Sequence, residues 1–317
     1  MSKKKTEIYQ RFIKKILIKL RRVINQTDVT IKYEEKTPKS GTIVIAIEKL
    51  NIYHCIPVDY IAMEEFGDLE QLCYEYAVEL MISRRIAEDG TLADEHFLER
   101  NQEQLFISAV NYYDNRLSLE GRIFEQVLDI ALVPYLEKKV FEDIVVEIQL
   151  PEKVMEISGK SRKELISLAL ENASNRNPAR AYCLCLDTGN DYLKSLDDEA
   201  YCRKMMGSGT GLILTTEAVM NGATGLFYPG VLEHLAAVAG DKTLYITFPS
   251  DHEAVIHDAL DHACNFSPQV FNLLTKGNMY DTYRNRPSQS LFCFDAGQYT
   301  AQAEVRRAYE KLYLYIE

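Results

Sequence analysis

The sequence predicts an α/β or α+β fold in which mixed sheets pack with helices as one compact globular unit. Three observations predict it. Short β-branched runs, such as Ile43–Ile47 and Leu212–Thr216, alternate with stretches whose apolar residues recur every three or four positions. A strand-helix-strand pattern is written at 212–248, with Pro229 opening its short helix and Gly240 just past the end. The composition, 47% hydrophobic and 26% charged over 317 residues, suits a chain that buries a core.

Composition also excludes. With Gly at 15 and Pro at 9, the chain is no collagen-like fibre. No apolar run approaches the roughly 18 residues needed to span a bilayer, and the first residues lack the features of a signal peptide, so a cytoplasmic protein without a transmembrane segment is expected. The net charge of -11 disfavours nucleic acid as a partner. Charge is unevenly placed: residues 1–22 hold nine Lys/Arg against one Glu, a local +8 that leaves -19 on the rest. The seven cysteines are too few and odd in number for a secreted disulfide scaffold. Cys183 and Cys185 form a CxC pair, yet no knuckle or fourth ligand stands near Cys202 to complete a zinc site.

The elements follow in order. Residues 7–24 form a basic amphipathic helix, with Ile13, Ile16, Leu17, Leu20 and Ile24 on one stripe. It is expected to dock on the acidic body, and its lysine-rich surface leaves membrane-surface contact open to it. Strands are predicted at Val29–Tyr33, Ile43–Ile47 and Ile52–Ile56. A helix over 68–88 carries Leu69, Leu72, Cys73, Tyr76, Ala77 and Leu80. Leu105–Tyr113 and Arg122–Leu132 also have helical spacing, the latter with strand character at Ala131–Leu136. Phe141–Leu150 reads as a strand. Ser161 and Glu164 form a capping box for a helix through Ala173, and the polar Ser174–Arg180 is the best internal linker.

Beyond it, Leu212–Thr216, Ala223–Tyr228 and Leu244–Phe248 are predicted strands and Pro229–Val238 a helix; Ala301–Tyr315 is the last helix. Ala254–Leu260, Val270–Leu274 and Ser290–Phe294 fit either state. The organisation expected is a basic helix at 1–26, an N-terminal α+β subdomain at 27–173 and a C-terminal α/β subdomain at 181–317.

Several phrases occur together in a telling order: RIFEQVLDIALVPYL at 122–136, KELISLALENA at 163–173, LILTTEAVMNGATGLFYPGVLEHLA at 212–236 and LYITFPSDHEAV at 244–255. In this succession the chain resembles an uncharacterised bacterial domain-of-unknown-function family common in anaerobic Gram-positive species. The segment NIYHCIPVDY at 51–60 and the stretch Asp281–Tyr299 depart from that family's pattern. The resemblance implies a compact intracellular α/β protein and carries over no catalytic residue.

The densest polar patch is Asp251–His262, with three histidines and four carboxylates. Imidazole and carboxylate can bind zinc or move protons, so one reading is a metal-assisted hydrolase with His252 and His257 as ligands and Glu253 and His257 as catalytic groups. The spacing opposes it. His252 and His257 are five apart, about 140° apart on a helix and on opposite faces of a strand. Asp187-Thr188-Gly189 matches an aspartic-protease signature but occurs once, where that chemistry needs two carboxylates. The glycines of Gly207–Gly211 precede a strand instead of opening a helix, which suits a turn better than a phosphate cradle. The aromatic residues are 20 Tyr and 12 Phe with no Trp, a tilt toward interfaces. The reading is therefore an interaction or regulatory module with a protein partner, no cofactor and no strong catalytic signature.

Overall fold

A computed structural model describes residues 3–37, 40–50, 52–59, parts of 73–84, 97–141, 144–182, 193–240, 242–264, 287–288, 290–295 and 307–315. The segments 183–192, with Cys183, Cys185 and Asp187-Thr188-Gly189, and 265–286, with Val270–Leu274, lie outside them. Mixed helices and antiparallel sheets make up the fold, in two compact units. The first is Met1–Arg100, Asp114–Arg122 and Lys138–Gly159; the second is Asn101–Tyr113, Ile123–Glu137 and Lys160–Glu317. Among the described residues no helix is long and apolar enough to cross a membrane.

In the first unit, α1 (Lys3–Ile24) is the basic amphipathic helix. The strands β1 (Thr30–Thr37), β2 (Ser40–Ile47) and β3 (Ile52–Asp59) follow, paired antiparallel in sequence order. Tyr9, Ile13, Ile16, Leu20 and Ile24 are buried on α1 and share one core with Ile31, Ile43, Ile45, Ile47, Ile56 and Val58 of the sheet. Each such side chain contributes about 1.5–3 kcal/mol of burial. Polar ends are satisfied as the stripe closes: the Tyr9 hydroxyl donates to the Val58 carbonyl at 2.9 Å and an Arg21 N–H to the Ile31 carbonyl at 3.0 Å. The described residues between 73 and 84 are helical, with Cys73, Ala77 and Leu80 in the same core.

The second unit holds β4 (Leu105–Asn111), β5 (Glu125–Val127) and the start of β6 (Ile130–Phe141). β6 pairs antiparallel with both. The strand expected at 141–150 is β7 (Ile144–Gln149) of the first unit. The helices expected at 105–113 and 122–132 are corrected to strands and their connections. Leu105, Phe106 and Ile107 are all buried, so the run lacks the polar alternation that marks a half-exposed strand. Against β4 packs α2 (Arg162–Arg176), which carries the expected capping box: the Ser161 hydroxyl accepts from the Glu164 N–H, and the Ser161 N–H donates to the Glu164 carboxylate. The expected linker Ser174–Arg180 is instead the last turn of α2 and the start of β8 (Ala179–Tyr182).

The large sheet adds β9 (Leu212–Thr216), β10 (Thr243–Thr247), β11 (Ala254–His257), β12 (Phe292–Asp295) and β13 (Tyr313–Leu314). Its order is β13-β12-β10-β11-β9-β8, every neighbour antiparallel. The strands β9 and β10 thus share a sheet but stand one strand apart, with β11 between them. The third strand expected here, 223–228, is corrected: it is the short helix α3 (Gly222–Gly225) and a turn, all buried. A short, fully buried apolar run has no period to separate helix from strand. The helix α4 (Val231–Ala239) stands where Pro229 and Gly240 bracket it. The final helix expected at 301–315 is corrected over its described part, which is a 3-10 turn, Ala308–Lys311, followed by β13.

Candidate functional site

The Asp251–His262 patch lies on the loop into β11 and beyond it. Its loop is stitched to the end of β9. The Ala223 N–H donates to the Asp251 carbonyl at 3.1 Å and the Thr215 hydroxyl to the His252 carbonyl at 2.9 Å. A Cβ on Gly222 would fall 2.0 Å from the His252 oxygen, so only glycine admits this approach. Val219 (φ 56) and Asn221 (φ 53) hold left-handed backbone beside it, an unfavourable state for a β-branched residue.

The three predicted site residues turn to three different partners. His252 accepts the Asn221 N–H on Nδ1 at 3.1 Å, with an Asp251 oxygen 3.4 Å away. The buried Glu253 carboxylate accepts from the Tyr182 hydroxyl. Burial raises its pKa, opposed by that hydrogen bond; burial likewise raises Asp251. The ring of His257 is fully buried against Gly211, whose added Cβ would lie 2.7 Å from it; Gly211 also sits at φ +71. Burial presses the His257 pKa down to about 4, so the ring is neutral at pH 7. His262 is its ring neighbour, centroids 6.5 Å apart. Among the described residues, no group of three or more His, Cys, Asp or Glu is placed to hold a metal ion. The loop Gly207–Gly211 is a turn into β9, closed by the Gly211 N–H on the Ser208 carbonyl at 3.1 Å.

Elsewhere in the second unit is a cleft of about 650 Å³. The middle of α2 (Ser167, Leu170, Glu171), the segment Leu226–Glu233 and residues 307–310 line it. Phe227 meets Tyr309 edge-on, centroids 5.7 Å apart. Burial pushes the Tyr228 hydroxyl up to about 12 and raises Tyr309 as well. Among the described residues the buried Tyr309 hydroxyl has no hydrogen-bond partner. Arg307 is held by three hydrogen bonds: it donates to Glu125 at 2.6 Å, the Lys163 carbonyl at 2.6 Å and the Ser167 hydroxyl at 2.7 Å. Glu171 and Glu233 have no ion pair among the described residues. These two carboxylates face a cleft whose cation is already committed to Glu125.

Sequence reasoning missed the cleft, because its walls come from three segments far apart in the chain. The only signal was the abundance of tyrosine, which the structure divides near the cleft: Tyr309 is 4% exposed, while Tyr313 is 46% exposed.

No curated protein and no solved structure matches the chain. A family model covers residues 9–266, from within α1 to past β11. The chain therefore belongs to DUF5688, a family of unknown function.

Proposed function

We propose that this protein is an interaction module whose second unit receives a segment of another protein in the cleft between α2, the Leu226–Glu233 segment and residues 307–310. The observation that carries the reading is the cleft itself. Its 650 Å³ falls within the roughly 300–1,000 Å³ usual for binding pockets. Leu226, Phe227 and Leu232 supply an apolar lining, and Glu171 and Glu233 supply charges that lack a partner among the described residues. An apolar lining with a few polar groups is the usual make-up of a binding pocket. The divergent partners of His252, Glu253 and His257 lend the metal-assisted hydrolase no support. The reading places the module in the cytoplasm, and the thiols of Cys202, Cys264 and Cys293 fit a reducing compartment.

Selection of short peptides from a displayed random library tests the proposal. Peptides enriched on the native protein should bind at least tenfold more weakly to a Glu171→Trp/Glu233→Trp variant, whose indoles fill the cleft from its rim. If no peptide is enriched, or if the enriched ones bind the variant equally, the cleft is not the binding surface.

A further inference from the structure

The outward face of α1 carries a feature that packing within the first unit does not explain. The buried stripe of Tyr9, Ile13, Ile16, Leu20 and Ile24 fixes which way the helix faces. Ile18 lies opposite that stripe and is 59% exposed. At 100° per residue, Arg11, Lys14, Lys15 and Arg22 all fall within about 60° of it. All four are exposed, and among the described residues none has an ion pair or hydrogen bond. Ile8, 41% exposed and about 80° from Ile18, flanks the strip, and Glu7, the only acid in the helix, sits on it about 20° from Ile18. From Arg11 to Arg22 the strip is about 16 Å long.

We propose that this face of α1 docks on an anionic lipid surface. Lysine and arginine gather at acidic headgroups, while an exposed aliphatic side chain among them enters the interface just below. Nucleic-acid phosphates would use the cations and leave Ile8 and Ile18 wet, so the combination favours lipid. The charge distribution orients the encounter. Residues 23–317 carry -19 and are repelled by the same surface that attracts the +8 of residues 1–22. The helix keeps its buried stripe in the first unit throughout, so docking requires no unfolding and does not depend on the cleft of the second unit.

Sedimentation of the full chain with vesicles is the test. Vesicles of mixed phosphatidylserine and phosphatidylcholine should bind the protein at low salt, and phosphatidylcholine alone should not. Raising the salt to about 0.5 M should weaken binding at least tenfold. Lys14→Glu/Lys15→Glu and, separately, Ile18→Ser should each weaken it about tenfold with circular dichroism and Tm unchanged, since all three side chains are exposed. Equal binding to both vesicle types, binding to neither, or an Ile18→Ser variant that binds like the native protein would overturn the proposal. Salt-sensitive binding to duplex DNA with no binding to acidic vesicles would also overturn it.

Discussion

The backbone N–H of Asn221 donates to Nδ1 of His252 at 3.1 Å, which leaves the proton of the neutral imidazole on Nε2. The ring is thereby a clasp between two loops, and the glycine next to Asn221 completes the closure. Nitrogen-detected NMR of the neutral side chain should show the Nε2-protonated tautomer, and the Nδ1-protonated form would refute the clasp.

Gly222→Ala should cost about 3 kcal/mol in urea unfolding. Its Cβ would meet the His252 carbonyl at 2.0 Å and the Thr215 Cα at 2.5 Å, both backbone atoms that cannot swing aside. A loss under about 1 kcal/mol would mean that the loops separate readily.

His257 should weaken the fold in acid. Its folded pKa is about 4 against 6.5 in the unfolded chain, so the unfolded state binds the extra proton between those values. Stability is therefore full above about pH 6.5 and falls as pH drops toward 4, by roughly 2–3 kcal/mol for this ring. His54 on β3 acts with the same sign in the first unit. The raised carboxyls of Asp251 and Glu253 act oppositely, gaining as they protonate. The comparison is thus native against His257→Gln, which should flatten the acid limb of the stability curve. An unchanged slope would contradict the burial of the ring.

At pH 8, Glu253→Gln should be neutral or stabilising by about 1 kcal/mol. It removes a buried charge while its amide oxygen still accepts from Tyr182. Tyr182→Phe should destabilise by about 2 kcal/mol at the same pH, because the carboxylate loses its donor, and less at pH 4. Equal losses at both pH values would show that the hydroxyl matters only for packing.

On α1, Leu20→Ala should cost about 3 kcal/mol and Ile18→Ala under about 0.5 kcal/mol, measured by thermal unfolding. Leu20 is 1% exposed and Ile18 is 59% exposed. Similar losses from the two would mean that the helix is turned differently.

Elements that present one face to water were legible in the sequence. α1 declares itself because Ile13, Ile16, Leu20 and Ile24 alternate with cations, and α2 because Ser161 and Glu164 cap it locally. Leu105–Ile107 and Ala223–Tyr228 differ from the sequence expectation because the fold buries them all round, and burial erases the periodicity that distinguishes a strand from a turn of helix. The candidate site was least legible. Ser167, Phe227 and Tyr309 meet in one cleft, yet nothing local to any of them announces the other two. His252, Glu253 and His257 are neighbours in sequence whose side chains part because the first two stand on the loop into β11, bonded to Asn221 and Tyr182, while His257 ends the strand.

The interleaving of the two units along the chain governs the order in which they can be finished during synthesis. The first unit has all its segments once residue 159 has emerged from the ribosome, whereas the second has only 101–113 and 123–137 by then. Until the rest of 160–317 follows, β4 waits without the helix α2 that packs on it, and its apolar residues Leu105, Phe106 and Ile107 lack that cover. A ribosome stalled once residue 159 has emerged would therefore display a sticky strand whose cover is not yet made, a substrate for holding chaperones. For the same reason neither unit can be excised by a single cut, since each is sewn from segments on both sides of the other.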